Sequence, residues 1–313
     1  MAKVLCVAGP TACGKTKMGV ALAHRFQGEV VSVDSMQIYR GLTVGTAAPT
    51  AEEMEGIPHH MIGVADVAES WSVARYVERA DACIQDILAR GKLPILAGGT
   101  GLWLDALIRG SEFAPGQQGG DIRLALQQRA RQEGTAPLLE ELRRIDPAAA
   151  EKLHLKDEKR ILRALEVYYE TGETMTARNA AERARAPRYE AVWLGLSYEN
   201  RDELRARIDR RVDEMVANGL LEEVRWLLAR QLPADATCWQ AIGYKQFLSV
   251  ARGEATVEDA VEEVKLRSRQ YAKRQLTWLR RNEAIHWILW NAATDFSAGL
   301  QKATEILCAE GLG

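Results

Sequence analysis

Histidine and cysteine are scarce: five of each in 313 residues, with Cys6, Cys13, Cys83, Cys238 and Cys308 scattered along the chain and no C-x-x-C pair. Neither a disulfide framework nor a zinc site is supported. No apolar run approaches the ~18 residues of a membrane helix, so no span and no membrane partner are expected. The N-terminus leads straight into a strand, which leaves no room for a signal peptide, and a reducing cytoplasm is the expected compartment. Positive charge is not in excess either. With a net charge of −2, any nucleic-acid surface must be a local patch. Internal repeats and low-complexity tracts are missing as well. What is left, 47% hydrophobic and 27% charged, is the make-up of a soluble globular chain long enough for one large or two modest domains.

The most informative stretch is the beginning. Lys3–Ala8 (KVLCVA) reads as a strand, and Gly9-Pro10-Thr11-Ala12-Cys13-Gly14-Lys15-Thr16 follows it as G-x-x-x-x-G-K-[ST], leading into a helical stretch from Lys17 to Arg25. Phosphate oxygens carry dense charge and must be stripped of water to bind. A glycine-rich loop meets that need by turning successive N–H groups inward at a helix N-terminus, where the dipole adds about half a positive charge. In this reading Lys15 reaches the terminal phosphates and Thr16 helps to hold Mg²⁺. The motif points to a phosphate and leaves its owner open.

A second strand, Val30–Val33, ends in Asp34. Ligands of parallel α/β sheets sit outside the carboxyl ends of the strands, so Asp34 arrives at the same edge as the loop. The plain alternative is an Asp that caps the turn after it. His59 and His60 read as loop histidines with satisfied hydrogen bonds, since no third metal ligand is near. Ser72–Arg90 has helical spacing and stops at Gly91. The next strand, Leu93–Ala97, ends in Gly98-Gly99-Thr100, without the Asp that orders Mg²⁺ and water in many hydrolytic P-loop enzymes. Thr100 has instead a hydroxyl to offer to a leaving phosphate oxygen.

Ser111–Gly120 breaks the composition and is the expected hinge. Residues 121–186 read as short charged helices with turns at Gly134, Asp146-Pro147 and Gly172, and Lys159, Arg160 and Arg163 put three cations on one of them. Ala191–Leu196 reads as a strand returning to the core. Arg201–Arg230 reads as one long amphipathic helix on which Arg207, Arg210 and Arg211 cluster. From Lys265 to Arg281 the chain carries Lys265, Arg267, Arg269, Lys273, Arg274, Arg280 and Arg281, with no acidic residue and with Tyr271 and Trp278 interleaved. Cations with aromatics are what an RNA backbone and unstacked bases require. Thr256 and Asp259 form a capping pattern for the start of that helix.

Taken in order, the phosphate loop, Asp34-Ser35-x-Gln37-Ile38-Tyr39, Gly45-Thr46-Ala47, Pro58-His59-His60, Gly98-Gly99-Thr100, Gly243-Tyr244 and Lys273-Arg274-Gln275-x-Thr277-Trp278-Leu279-Arg280 resemble the bacterial tRNA dimethylallyltransferase family, essentially end to end. The resemblance implies an α/β fold: a P-loop NTPase-like parallel sheet flanked by helices, with a helical insertion domain. Its divisions would be a first part of the core at 1–115, an insertion at 116–187 that contacts the tRNA anticodon loop, and a second core part at 188–313 with basic C-terminal helices. It implies transfer of a dimethylallyl group from dimethylallyl diphosphate to the exocyclic amine of the adenosine 3′ of the anticodon, in tRNAs that read codons beginning with U. The phosphate loop then holds a departing diphosphate, with Mg²⁺ as cofactor on Thr16, diphosphate and water. Asp34 would take the amine proton, and Lys15, Thr100 and Arg211 would act on the diphosphate.

The same likeness puts tRNA contacts at Asp34, Ser35, Met36, Gln37, Thr100 and Arg123, and at Lys159, Arg160, Ile161, Leu162 and Arg163. It adds Gln240, Ala241, Ile242, Gly243, Tyr244 and Lys245, and the run Lys273, Arg274, Gln275, Leu276, Thr277, Trp278, Leu279 and Arg280. Gln240 and Lys245 stand where some relatives carry arginines, and Cys13 stands where serine is common. The expected partners are the tRNA anticodon stem-loop and dimethylallyl diphosphate, and the expected working form is a monomer. Two other readings compete: a P-loop small-molecule or nucleoside kinase, and a prenyltransferase acting on free adenine nucleotides. Both leave the basic C-terminal helix without a task.

Overall fold

A computed structural model describes residues 1–113, 120–234, 236–291 and 295–312. They fall into two compact units, Met1–Gly110 with Arg188–Gly313, and Ser111–Pro187. Of the expected hinge, residues 114–119 lie outside the described residues, as does the expected 115/116 boundary.

The first unit opens with β1 (Ala2–Ala8), α1 (Lys15–Arg25), β2 (Gly28–Val33), α2 (Ala51–Met54), β3 (His59–His60), α3 (Val73–Ala89), β4 (Leu93–Gly98) and α4 (Gly101–Arg109). The second unit supplies α5 (Asp121–Glu133), α6 (Thr135–Ile145), α7 (Pro147–Ala150), α8 (Glu158–Thr171) and α9 (Met175–Ala184). The first then resumes with β5 (Tyr189–Tyr198), α10 (Arg201–Ala217), α11 (Leu220–Leu228), a 3₁₀ turn, α12 (Tyr244–Ala251), α13 (Val257–Leu279), β6 (Ile285–Trp290) and α14 (Phe296–Ala309).

The six strands form one sheet in the order β3-β2-β4-β1-β5-β6, and every pairing is parallel. Burial along β1 explains its central place. Val4, Cys6 and Ala8 enter one apolar cluster and Leu5 and Val7 the other, so the strand has no face for water. Register then sets the working edge: Ala8 pairs with Gly98, and Gly98 with Val33. The segments that follow these residues therefore begin side by side. His59 and His60 are a short strand paired with Val30 and Val31, where a loop was expected.

One expected helix is two. Arg201–Arg230 breaks at Asn218-Gly219, where Gly219 takes φ 96° and ψ 32°, a left-handed turn that an unbroken helix does not accommodate. The second unit has its own apolar core, which includes Leu138, Leu142, Ile161 and Leu165. Within it the buried Asp146 carboxylate accepts from Ala149 N and from the Thr176 N–H and hydroxyl, tying the start of α7 to α9. No helix among the described residues is long and apolar enough to cross a membrane.

Candidate active site

The loop Gly9–Thr16 joins β1 to α1, and two of its residues take positive φ, Ala12 at 63° and Gly14 at 90°. Gly9 is held tightly, since a Cβ there would sit 2.5 Å from the Leu196 carbonyl oxygen. Side chains from the far end of the chain fix the loop: Thr11 N–H donates to Gln275 Oε1 at 3.0 Å, and Trp290 Nε1–H donates to the Cys13 carbonyl at 2.9 Å. Lys15 Nζ donates to the Pro10 carbonyl at 2.7 Å. The Cys13 thiol is buried, so this residue offers the cavity its backbone, and burial pushes the thiol pKa up.

Asp34 leaves β2 where the sheet register puts it. Its Oδ1 accepts from Met36 N at 2.8 Å and Gln37 N at 3.4 Å, so it does cap the next turn, while Oδ2 makes no hydrogen bond among the described residues. Gln37 reaches back to accept from Ser32 Oγ and donates to the carbonyls of Thr46 and Ala47. The glycines at the end of β4 and just beyond it are there for closeness. A Cβ on Gly98 would lie 2.1 Å from Val33 O, on Gly99 2.1 Å from Gln275 Nε2, and on Gly101 2.3 Å from the Trp278 ring. Gln275 Nε2 also donates to Gly99 O, so one buried carboxamide joins the phosphate loop to the β4–α4 turn. Thr100 Oγ1 is buried and closes no hydrogen bond; the Tyr271 phenol is the neighbouring polar group.

These residues border a cavity of about 1140 Å³ that belongs wholly to the first unit. Lys15, Lys17, Arg207, Arg210, Arg211 and Arg274 line it against three carboxylates, Asp34, Glu53 and Glu214, so the cavity favours an anion. Burial lowers the Lys15 pKa and Arg211 adds to that, while Cys13 and Asp34 oppose it. Burial likewise lowers Arg211. Two desolvated cations that repel each other gain from any bound polyanion. Beside them Met36, Val44, Met215, Ile242 and Val264 give the cavity an apolar wall. Among the described residues no group of three or more His, Cys, Asp or Glu side chains is arranged to hold a metal. A divalent cation here would depend on the Thr16 hydroxyl, the anion's own oxygens and water, which suits a hard ion such as Mg²⁺.

The basic stretch divides in two. Lys265 pairs with Asp213, Arg267 with Glu263 and Arg269 with Asp209, so these cations are spent within the fold. Lys273, Arg274, Arg280 and Arg281 are exposed with no ion pair among the described residues, and Arg274 and Arg281 stack on Tyr271 and Trp278. Among the expected RNA contacts, the side chains of Ile161, Leu162, Tyr244 and Leu279 are in the apolar cores, so any contact at these positions would fall to the main chain. Gln275 and Ala241 are buried but border the cavity, and Leu276 packs against the core. Gln240 and Lys245 are exposed, and Gln240 and Ile242 line the cavity. In the second unit Lys159 and Arg160 are exposed, whereas Arg123 and Arg163 both face the buried Glu166.

Two contributors have no signature in the sequence. Trp290 lies on a strand that no motif marks, and its indole is on the loop. Glu223 reads as one acid on a helix, yet it accepts hydrogen bonds from a segment 180 positions away. His59 Nε2, also at the cavity wall, is buried without a partner, while Nδ1 contacts the Ile57 carbonyl.

A family model described as IPP transferase matches residues 37–282. A tRNA dimethylallyltransferase of Caldanaerobacter subterraneus subsp. tengcongensis is 45% identical over 286 residues, 91% of each chain. The solved full-length tRNA isopentenylpyrophosphate transferase of Bacillus halodurans is 39% identical, with a TM-score of 0.74 over 99% of this chain and 96% of that one. A solved eukaryotic dimethylallyltransferase acting on tRNA is 30% identical, with a TM-score of 0.82 over 97% of this chain and 77% of its own.

Proposed function

The chain belongs to the IPP transferase family, and on that footing we propose that it prenylates tRNA, moving a dimethylallyl group from dimethylallyl diphosphate to the exocyclic amine of the adenosine 3′ of the anticodon in tRNAs that read codons beginning with U. One observation carries the reading: a phosphate loop, a carboxylate and an apolar wall line the same cavity. The carbon–oxygen bond breaks with its electron pair on the diphosphate, the amine lone pair forms the new carbon–nitrogen bond, and the surplus proton goes to Asp34.

Each residue has a task in that step. Lys15, Arg211 and the loop N–H groups meet the negative charge that grows on the leaving oxygen. Thr100, with its unpartnered hydroxyl, donates to the same oxygen. Oδ1 of Asp34 is held by two backbone donors, which aims the carboxylate and leaves Oδ2 for the proton. A positioned base of this kind is worth typically ~10²–10⁴-fold, and an adenine amine needs it because its lone pair is spread into the ring. The apolar wall keeps water from the allylic carbon. Thr16 would hold Mg²⁺ together with the diphosphate; bound there, the ion neutralises leaving-group charge.

The exposed cations of α13 hold the RNA backbone, and Lys159 and Arg160 of the helical unit meet the anticodon stem-loop. Freeing the target base from its loop stack costs about a few kcal/mol, which these contacts offset. The test is incubation with labelled dimethylallyl diphosphate and Mg²⁺, with either unmodified tRNA or AMP as acceptor. Label is expected in tRNA alone; label in AMP and not in tRNA refutes the reading.

A further inference from the structure

We propose that Glu223 is a positioning residue for this reaction: its carboxylate sets the place of Arg211 without itself lining the cavity. The inference rests on the assignment of Arg211 to the diphosphate, made above.

The chain of contacts is short. Glu223 Oε2 accepts from the N–H groups of Thr43 (2.7 Å) and Val44 (2.9 Å) and from the Thr43 hydroxyl, and Oε1 accepts from Gly45 N (2.9 Å) and the Tyr244 hydroxyl. One carboxylate thus gathers three successive backbone donors, as an anion does in a backbone nest. Gly45 makes the approach possible, since a Cβ there would lie 2.7 Å from the Tyr244 ring. The held segment then folds on itself: Ala47 N donates to Val44 O and Ala48 N to Thr43 O, both at 3.0 Å. Ala47 is left at φ 46°, a conformation that a residue with a Cβ keeps only where its surroundings impose it.

That conformation aims the Ala47 carbonyl. It accepts from Arg211 Nη2 at 3.2 Å and from Gln37 Nε2 at 3.2 Å. Arg211 is largely buried, and this carbonyl is its hydrogen-bond partner among the described residues. A guanidinium that must meet a diphosphate needs a fixed direction, and a displacement of about 1 Å costs on the order of a hundredfold. Glu223 lies on α11 because Gly219 breaks the preceding helix and turns the chain toward residues 43–45. The clamp, the strained turn and the arginine form one linkage.

Glu223→Gln is the direct test, because an amide keeps one acceptor oxygen and brings donors to a segment that offers only donors. With dimethylallyl diphosphate and an unmodified anticodon stem-loop RNA, KM for the diphosphate substrate is expected to rise about tenfold. Affinity for the RNA should stay within about twofold, and in an Arg211→Gln background the second change should add less than about twofold, as coupled sites do. Fully additive losses, or an equal loss of RNA affinity, would overturn the proposal. Tyr244→Phe removes one hydroxyl and keeps the buried ring, so it should give a smaller KM shift in the same direction. If Glu223→Gln does not fold, an unshifted Tyr244→Phe overturns the proposal by itself. Wild-type protein that transfers no label to RNA defeats the functional reading, whereas active wild type with an unaltered Glu223→Gln defeats only the linkage.

Discussion

Trp290 donates its indole N–H to the Cys13 carbonyl at 2.9 Å, from the last strand of the sheet to the phosphate loop. The indole is buried, so the carbonyl has no water to fall back on. Trp290→Phe keeps the apolar contact with Phe296 and deletes the donor. It should cost about 1–3 kcal/mol in stability, the penalty of a buried unpaired acceptor. Urea unfolding measures this, and the loss should shrink when diphosphate is present to hold the loop. An unchanged midpoint would mean that the loop holds its shape without the indole.

Asp34→Asn keeps the two backbone hydrogen bonds that a side-chain oxygen can still accept, and removes the base. Single-turnover transfer to tRNA should slow by about 10²–10⁴-fold, while tRNA affinity stays nearly intact. Near-normal turnover in this variant would remove Asp34 from the proton transfer.

The division of the basic helix can be read from salt dependence. Arg274→Ala removes an unpaired cation, so tRNA binding should weaken and the salt slope should fall by about one ion per lost phosphate contact. Arg267→Ala breaks an exposed pair with Glu263 and a hydrogen bond to Gln270, both within α13, and the slope should not move. Equal effects from the two would mean that both halves of α13 meet the RNA.

Glu29 sits buried at the start of β2 and accepts from Arg90, Lys92 and His60. The Arg90 guanidinium holds its carboxyl far below the usual carboxylate range, against the cost of burial. A group lowered in this way adds stability that is complete above its unfolded pKa of about 4.3 and is lost as pH falls toward the folded value. Glu29→Gln should therefore cost about 2 kcal/mol at neutral pH, less than a fully buried pair because Arg90 and Lys92 remain half in water. The gap between wild type and variant should narrow below about pH 4. A gap that stays constant with pH would assign the loss to packing.

Local rules made much of this molecule legible. The loop motif and the strand that ends in Asp34 are each read from one strand-turn-helix, whereas the glycines at the end of β4 and just beyond it stand out in the sequence but owe their closeness to Val33, Gln275 and Trp278. Thr256 caps its helix as the sequence predicts. What was not legible depends on distance in sequence. Whether Arg267 is free or paired depends on Glu263, but Lys265 and Arg269 find their acids on another helix. Periodicity in Arg201–Arg230 is apolar throughout, so it hides the break at Gly219, which only the backbone angle reveals. Glu223 and Trp290 act through main-chain groups of residues 43–45 and 13, and a main-chain partner leaves no mark on composition.

The order of strands in the sheet has a bearing on synthesis. β1 precedes the other strands of this sheet in the chain, yet one of its two neighbours, β5, begins at Tyr189, beyond the whole helical unit. The loop that follows β1 waits longer still, for Gln275 and Trp290. During translation the growing chain therefore carries a sheet in which β1 has β4 on one side and its other edge open, the kind of exposed edge that invites wrong pairing. Early self-folding of the intervening helices, which have a core of their own, shortens the tether that β5 must close and lowers the entropy of bringing it home. The phosphate loop is thus completed by contacts distant in sequence, the kind that topology makes slow to form.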